Sequence, residues 1–207
     1  MNISLELLKI KAVFLRPNDP FIWASGIKSP IYCDNRLTLG YPKLRKDIAL
    51  QLSNIIKNKY KNVNLIVGTA TAGIPHATLI SDILNKPLGY VRSSNKNHGR
   101  QNQFEGNLIK GNVIVVEDLI STGKSSLEVC DCLKELGFNV LGVISIFSYE
   151  LESGINNFRN NDIEYDSLSN FYELIKIALK NNYINKEEYN KLLKWHINPN
   201  DESWIKY

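Results

Sequence analysis

The segment that decides the fold reads Val-Ile-Val-Val-Glu-Asp-Leu-Ile-Ser-Thr-Gly-Lys-Ser and covers residues 113–125. Its apolar run predicts a buried strand, which leads into two adjacent acids, Glu117 and Asp118. A short loop follows, and Gly123 opens a stretch in which apolar residues have helical spacing. Unpaired N–H groups at the start of such a helix, at the positive end of its dipole, attract phosphate. The segment therefore predicts a phosphate site beside two carboxylates.

The rest of the chain continues this alternation of apolar runs and helical periodicity. The patterns predict helices over residues 42–60, 74–84, 125–136, 168–180 and 186–195, strands over 65–67, 88–91, 113–116 and 140–147, and a turn near Gly154. Nearly continuous apolar strands are typical of a parallel sheet covered on both faces, so we expect an α/β fold with a parallel sheet flanked by helices. We expect one domain over residues 1–207, in which residues 1–40 contribute a small N-terminal lobe.

Composition and charge exclude several classes of function. The net charge of +4 is small and its basic residues are scattered, so we expect anionic small molecules as ligands and no nucleic acid. No apolar run approaches the ~18 residues that span a bilayer, so we expect no membrane association and a cytoplasmic protein. The three cysteines include no CxxC pair, which argues against a disulfide framework or a zinc site.

The tail Gly123-Lys124-Ser125 invites two other interpretations. An ATP-binding P-loop requires glycine five positions before its Gly-Lys pair, but Asp118 stands there, and its carboxylate would repel a triphosphate. A plain strand–turn–helix junction with solvated acids is the second alternative, although two acids at a buried strand edge before a loop of small residues are uncommon. Two carboxylates at a strand end suit the hydroxyl groups of a ribose, which need acceptors.

Four segments carry a resemblance to a known family. Residues 113–125 resemble the diphosphate-sugar signature of the type I phosphoribosyltransferases. Residues 21–36, which begin Phe-Ile-Trp-Ala-Ser-Gly, resemble the N-terminal signature of the orotate branch and separate it from the purine branches. Residues 90–106 resemble the catalytic loop of that branch, and residues 68–73 its pyrophosphate loop. The segments keep the family order, and the chain is most similar to members from low-GC Gram-positive bacteria.

The resemblance implies a type I phosphoribosyltransferase fold in which residues 1–40 form a hood over the site. It implies transfer of the phosphoribosyl group of 5-phosphoribosyl-1-diphosphate (PRPP) to orotate, which gives orotidine 5′-monophosphate and pyrophosphate in pyrimidine (UMP) biosynthesis. It implies a homodimer whose loop 92–106 covers the neighbour's active site. The residues implied for PRPP binding are Arg92, Lys96, His98, Glu117, Asp118, Leu119, Ile120, Ser121, Thr122, Gly123, Lys124 and Ser125, of which Arg92, Lys96, His98 and Asp118 are the catalytic candidates.

The chemistry of the predicted loop supports this assignment. Breaking the bond between C1 of the ribose and pyrophosphate leaves positive charge on the sugar and negative charge on the leaving group. Arg92, Lys96 and His98 supply donors for that negative charge, and Arg100 is a further candidate; a closed loop would also exclude water. We expect Mg²⁺ as cofactor because it binds substrate phosphates with few protein ligands, and we assign no protein metal ligand.

The orotate side is less defined by the sequence. Ser121, Lys28, Tyr32 and Cys33 are the candidate orotate-binding residues. Some family members place an arginine after the fourth strand to meet the orotate carboxylate, but this chain has Tyr149-Glu150 there. Lys28, Arg36 and the backbone N–H groups around Tyr32 and Cys33 are the alternatives for that carboxylate. A purine-base phosphoribosyltransferase and an RNA-binding regulator built on the same fold are the competing hypotheses. A base-specificity assay tests the first, and a salt titration of RNA binding tests the second.

Overall fold

The computed structural model describes residues 1–23, 26–92, 103–107 and 110–206. The helices are α1 (Ile3–Lys9), α2 (Pro42–Lys59), α3 (Gly73–Leu84), α4 (Lys124–Glu135), α5 (Glu152–Asn160), α6 (Phe171–Lys180) and α7 (Lys186–Ile197), with short 3-10 helices over Asn35–Gly40 and Ser203–Lys206. The strands are β1 (Val13–Leu15), β2 (Phe21–Ile22), β3 (Lys28–Ser29), β4 (Ile31–Cys33), β5 (Leu65–Thr69), β6 (Leu88–Val91), β7 (Phe104–Glu105), β8 (Asn112–Ile120), β9 (Asn139–Ser148) and β10 (Tyr165–Asn170).

A six-stranded sheet organises the described residues, in the order β10-β9-β8-β5-β6-β7. Neighbouring strands are parallel except β6 and β7, which are antiparallel. Ile114 and Val116 of β8 pack into one core layer, whereas Val113 and Val115 pack into the other. Because both faces of the strand are covered, it is apolar at every position from Val113 to Val116. This confirms the predicted α/β fold with a parallel sheet flanked by helices.

Helices cover the two faces of the sheet unequally. Buried side chains of α1, α2, α3, α6 and α7 share one apolar cluster with the sheet, and those of α4 and α5 share the other. A capping box begins α7: Asn185 Oδ1 accepts from the Glu188 N–H at 2.9 Å, and Glu188 Oε2 accepts from the Asn185 N–H at 2.8 Å. Among the described residues, no helix is both long and apolar enough to cross a membrane.

The N-terminal residues lie outside the large sheet. Val13 pairs with Cys33 in the β1–β4 ribbon, and Phe21 pairs with Ser29 in the β2–β3 ribbon. The helix α1 is tied to the C-terminal half, since the Ser4 and Ser169 hydroxyl oxygens lie 2.6 Å apart in a buried position. Two antiparallel ribbons beside a parallel sheet explain why this part of the chain breaks the βα alternation in the sequence.

Two stretches differ from the sequence predictions. The turn expected near Gly154 is the helix α5, and Leu168, expected to begin a helix, lies in the edge strand β10. β10 reads Tyr-Asp-Ser-Leu-Ser-Asn and is mostly half-buried, so it lacks the apolar run that marks the central strands. The helix α6 begins after it because Asn170 Oδ1 accepts from the Glu173 N–H at 2.9 Å.

Candidate active site

The acid pair lies near the end of the strand β8, which extends past both acids to Ile120. Glu117 is buried: its Oε1 accepts from the Asp118 N–H at 3.0 Å, and its Oε2 accepts from the Ser126 hydroxyl at 3.3 Å. Burial, and then the charge of Asp118, raises the pKa of Glu117 to about 7. Asp118 is half-buried, and burial also raises the pKa of its carboxyl. The two carboxyl groups are therefore desolvated acceptors, and a cationic or hydrogen-bond-donating ligand would stabilise their charged form.

A side chain from the N-terminal lobe fixes the backbone at the acid pair. Asn35 is fully buried in the 3-10 helix, and its Nδ2 donates to the Asp118 carbonyl at 2.7 Å. The Thr38 hydroxyl, in the same 3-10 helix, lies 3.5 Å from Nε2 of His76 on α3. Burial lowers the pKa of His76 to about 4, which favours the neutral ring. The N-terminal lobe is thus connected directly to the end of β8.

The predicted phosphate site comprises the loop of residues 121–123 and the start of α4. Gly123 has φ +73°, and a Cβ there would lie 2.4 Å from the Phe158 ring. A Cβ on Gly154 would lie 2.4 Å from the Ser121 carbonyl oxygen, and the Asn157 side chain donates to the Thr122 carbonyl at 3.0 Å. The helix α5 therefore fixes the backbone conformation of this loop, which leads into the N–H groups at the start of α4.

The predicted PRPP-binding residues of this segment differ in exposure. Thr122, Lys124 and Ser125 are exposed at the start of α4, and Ser121 is half-buried in the loop. Ile120 has its side chain in the core, and its carbonyl accepts from the Tyr149 N–H at 2.8 Å. Any contact of Ile120 with a ligand would therefore be through its backbone. We call residues 117–125 the sugar-phosphate side of the site.

The loop after β5 approaches the same edge of the sheet. Its glycines allow close packing, since a Cβ on Gly68 would lie 2.8 Å from the Ile74 Cα and one on Gly73 would lie 2.2 Å from the Val116 carbonyl oxygen. The Ala70–Thr71 peptide is cis, and the Ala70 N–H donates to the Val91 carbonyl at 3.0 Å. These contacts place the predicted pyrophosphate loop, residues 68–73, beside Val116 of β8 and Val91 at the end of β6.

Arg92 lies at the carboxyl end of β6. Its guanidinium is 3.1 Å from Glu105 Oε1, and its backbone N–H donates to the Gln103 carbonyl at 2.9 Å. The other catalytic candidates of the loop, Lys96 and His98, lie outside the described residues, as does Arg100. Their roles stay predictions from the sequence.

A cavity of about 440 Å³ lies between the N-terminal lobe and the sugar-phosphate side. It is lined by Phe21, Ile22, Trp23, Tyr32, Cys33, Leu119, Ser121 and Tyr149. Trp23 meets Tyr149 edge to face, with ring centroids 5.4 Å apart. A largely apolar, aromatic cavity with a few polar groups suits a flat heterocycle. We call the cavity-lining residues outside 117–125 the base side of the site.

The structure brings together three of the four orotate candidates. Ser121, Tyr32 and Cys33 line the cavity. The Cys33 thiol donates to Asn35 Oδ1 at 3.3 Å, and burial raises its pKa well above the usual range. Lys28 is not among the lining residues, because its amine pairs with Glu202 Oε2 at 2.8 Å on the C-terminal segment.

Arg36, the other candidate for the carboxylate, is engaged by a neighbour. Its guanidinium donates two hydrogen bonds to the Asp34 carboxylate, at 2.6 and 2.8 Å. These bonds lower the pKa of the Asp34 carboxyl. Arg36 is exposed, so water screens the pair and a ligand carboxylate could compete for the guanidinium. The backbone N–H groups near Tyr32 and Cys33 remain the third alternative.

Several residues of the site are absent from the sequence predictions. Asn35, Gly154 and Phe158 act on the backbone of the sugar-phosphate side, and Trp23 and Tyr149 form the aromatic walls of the base side. Trp23 and Asn35 lie within the N-terminal signature, so the sequence carried a signal for both. Gly154, Phe158 and Tyr149 contact the site across long sequence separations, which periodicity does not reveal.

The fold and this site define a phosphoribosyltransferase. The phosphoribosyl transferase domain model matches residues 40–189, and the chain belongs to that family. The relatives that it matches along its whole length are orotate phosphoribosyltransferases. It is 52% identical to that of Listeria innocua over 99% of this chain and 98% of the relative. It is 52% identical to that of Bacillus cereus over the same shares of the two chains.

A solved structure agrees with these relatives. The crystal structure of orotate phosphoribosyltransferase from Aeropyrum pernix has a TM-score of 0.76 and 28% identity to this chain, and the match covers 88% of this chain and 99% of that one. These comparisons confirm the predicted fold, the predicted enzyme class and the resemblance to the Gram-positive orotate branch.

Proposed function

We propose that this chain transfers the phosphoribosyl group of PRPP to orotate, releasing pyrophosphate and forming orotidine 5′-monophosphate. The observation that carries the proposal is the single cavity in which Ser121 of the sugar-phosphate side meets Trp23, Tyr32 and Cys33 of the base side. Full-length relatives at 52% identity that are orotate phosphoribosyltransferases support the same reaction. The product places the enzyme in pyrimidine biosynthesis, and we propose a cytoplasmic location and no nucleic-acid partner.

Each part of the site has a role in this reaction. As the bond from C1 of the ribose to the pyrophosphate oxygen breaks, N1 of orotate forms a bond to C1 and loses its proton, which a pyrophosphate oxygen or water can accept. Asp118 and Glu117 accept hydrogen bonds from the ribose hydroxyls, and the N–H groups of residues 121–125 bind the 5-phosphate. Arg92, Lys96 and His98 stabilise the departing pyrophosphate, whose negative charge grows in the transition state.

The cavity between the two sides orients the base. Its aromatic walls hold the flat ring of orotate so that the reacting nitrogen points toward the sugar, which lowers the entropic barrier to bond formation. For the orotate carboxylate we keep three alternatives: Lys28, Arg36 and the N–H groups around Tyr32 and Cys33. The first two are exposed ion pairs, so exchange of their carboxylate partner costs little.

Mg²⁺ is the cofactor that we propose. Among residues 1–23, 26–92, 103–107 and 110–206, no group of three or more His, Cys, Asp or Glu side chains is arranged to hold a metal ion. The oxygen donors present, the Asp118 carboxylate and the hydroxyls of Ser121 and Thr122, fit a hard cation that arrives with the substrate phosphates. When bound, Mg²⁺ would neutralise charge on the diphosphate.

We also propose a single domain over residues 1–207 with residues 1–40 as its hood, and a homodimer with shared sites. In this dimer, loop 92–106 of one subunit completes the site of its partner. Mixing Lys96→Ala with Asp118→Asn protein tests the arrangement. With free subunit exchange about half the dimers are mixed, and each holds one intact site, so activity should return toward about a quarter of wild type. A mixture that stays inactive despite proven exchange would refute the shared site.

The reaction itself is tested by following orotate absorbance with PRPP and Mg²⁺ present. We expect absorbance to fall as orotidine 5′-monophosphate forms, and chelation of the metal to stop the reaction. Adenine and hypoxanthine are the control bases and should be inert. Turnover of a purine with orotate inert would overturn the proposal and favour the purine alternative.

A further inference from the structure

The two aromatic walls of the base cavity have a common support behind them. Trp195, on α7, is fully buried. Its ring lies 5.7 Å from that of Trp23 and 6.4 Å from that of Tyr149, both in edge-to-face arrangements. Trp23 and Tyr149 are more than a hundred residues apart in the chain, so their relative position depends on the residues that both contact. Trp195 is such a residue.

Hydrogen bonds from α7 fix the backbones of both walls. The Trp195 indole N–H donates to the Lys28 carbonyl at 3.1 Å, which holds the β2–β3 ribbon that carries Trp23. Nε2 of the neighbouring His196 lies 2.7 Å from the Tyr149 carbonyl. A carbonyl only accepts, so Nε2 carries the proton and donates. Two neighbouring residues of α7, Trp195 and His196, therefore hydrogen-bond to the backbone segments that carry the two walls.

The surroundings of His196 keep it in this one form. Its Nδ1 lies 3.1 Å from the Tyr172 hydroxyl, which donates to it, and its ring stacks on Phe171 with centroids 4.3 Å apart. Burial lowers the pKa of the imidazole, which favours the neutral ring. Both ring nitrogens are thus engaged, and the donor toward Tyr149 has a fixed direction.

These supports lie outside the part of the chain that the general family model matches. That match covers residues 40–189, whereas Trp23, Lys28, Trp195 and His196 fall before or after it. The sugar-phosphate side lies entirely inside the match. Tyr149 also lies inside it, so this wall is supported by α7 residues from beyond the matched range.

We propose that Trp195 and His196 are positioning residues that set the width of the base cavity and thereby the affinity for orotate. The inference rests on the proposed function. Neither residue lines the cavity; each acts through Trp23, Tyr149 or the ribbon backbone. Loss of the His196 donor leaves the Tyr149 carbonyl without that partner and lets its ring move. The KM for orotate should then rise while the KM for PRPP stays the same.

The test is steady-state kinetics of His196→Phe, which keeps a ring against Phe171 but removes both nitrogens. An unsatisfied buried carbonyl should raise the KM for orotate about tenfold, with the KM for PRPP within about twofold of wild type. His196→Gln can still donate to the Tyr149 carbonyl and should restore most of the affinity. Tyr172→Phe is the matched control, since it removes the hydrogen bond on the other ring nitrogen only.

The outcomes separate this inference from the proposed reaction. Wild-type protein that does not consume orotate would refute the reaction. Active wild type with an unchanged orotate KM in folded His196→Phe would refute the positioning role, as would equal rises in both KM values or a failure of His196→Gln to restore affinity. If His196→Phe does not fold, Trp195→Phe decides: it keeps the aromatic packing and loses the indole donor, and an unchanged orotate KM in it refutes the inference.

Discussion

The two sides of the active site are built in different ways. The sugar-phosphate side is one continuous segment, residues 117–125, at the end of a central strand and the start of a helix. The base side is assembled from the β2–β3 ribbon, the end of β4 and Tyr149, with α7 behind them. The first side presents polar groups and backbone N–H donors, and the second presents aromatic rings. The residues proposed to bind the sugar phosphate thus come from one short segment, whereas those proposed to bind the base are brought together by tertiary contacts.

The two sides should differ in the substitutions that they tolerate. Backbone shape controls the sugar-phosphate side, because Gly123 and Gly154 leave no room for a side chain. Side-chain packing controls the base side, where Trp23, Tyr149 and Trp195 contact one another. We expect single glycine substitutions to abolish function at the first side and single aromatic substitutions to weaken substrate affinity at the second.

The largest effect should come from Gly123→Ala. A Cβ there would meet the Phe158 ring at 2.4 Å on a residue with φ +73°, so the loop must move. We expect kcat/KM to fall about a hundredfold or more, since loss of several aligned backbone donors costs at least ~3 kcal/mol. The matched control is Gly137→Ala, which has φ +84° but no neighbour nearer than 3.6 Å. It should lose about 1 kcal/mol of stability and keep its activity. Equal activity in the two variants would contradict this account.

The sequence predicted the sugar-phosphate side because its signals are local. Apolar residues 113–116, two acids and a glycine before a helix stand within one short segment, and β8 and α4 form there as expected. The sheet was predictable for the same reason, since a strand buried on both faces must be apolar throughout. The strand β8 runs further than expected because it pairs with β9 as far as Ser148.

The base side could be predicted only in part. The N-terminal signature indicated Tyr32 and Cys33, but nothing in the spacing of residues links Tyr149 to Trp195 across α5, β10 and α6. The helix α5 was missed because it is short and mostly polar: Ile155 and Phe158 are its only large apolar residues, and only Gly154 and Phe158 are buried. Gly154 and the Asn157 amide of α5 contact the loop of residues 121–123. Neither residue type indicates such a contact in a single sequence.

A second prediction concerns the buried acid of the sugar-phosphate side. The pKa of Glu117 rises from 4.5 to about 7 on folding, so the folded protein holds a proton that the unfolded chain has released between these values. Stability should therefore fall as pH rises through this window, by on the order of 1–3 kcal/mol. Glu117→Gln keeps acceptor and donor groups for Asp118 and Ser126 and lacks this penalty.

Thermal unfolding from pH 4.5 to 8 measures the effect. The Tm of wild type should fall by several degrees relative to Glu117→Gln as pH rises. Glu128→Gln, on the exposed face of α4, is the control and should follow wild type. If the Tm of wild type and the Tm of Glu117→Gln change with pH in the same way, burial does not destabilise the ionised form of Glu117 and the prediction is wrong.

The smallest effect is expected at the edge of the base side. Lys28 and Glu202 form an exposed ion pair at 2.8 Å, and such pairs contribute ~0–1 kcal/mol. Lys28→Met should change the KM for orotate by no more than about threefold if N–H groups near Tyr32 bind the carboxylate. Glu202→Gln releases the Lys28 amine and should lower that KM if Lys28 is the partner instead. Measuring both variants decides whether Lys28 is the partner, since the Arg36 and N–H alternatives both predict a KM that changes little in either variant.

The central claim is that the two sides are separately built and each governs its own substrate. Its most direct test is the pair of KM values, for PRPP and for orotate, in Asp118→Asn and Trp23→Leu. Loss of a charge-assisted hydrogen bond of ~1.5–3 kcal/mol should raise the KM for PRPP at least tenfold in Asp118→Asn, with the orotate KM nearly unchanged. Trp23→Leu should do the reverse. Parallel rises of both constants in both folded variants would contradict the account.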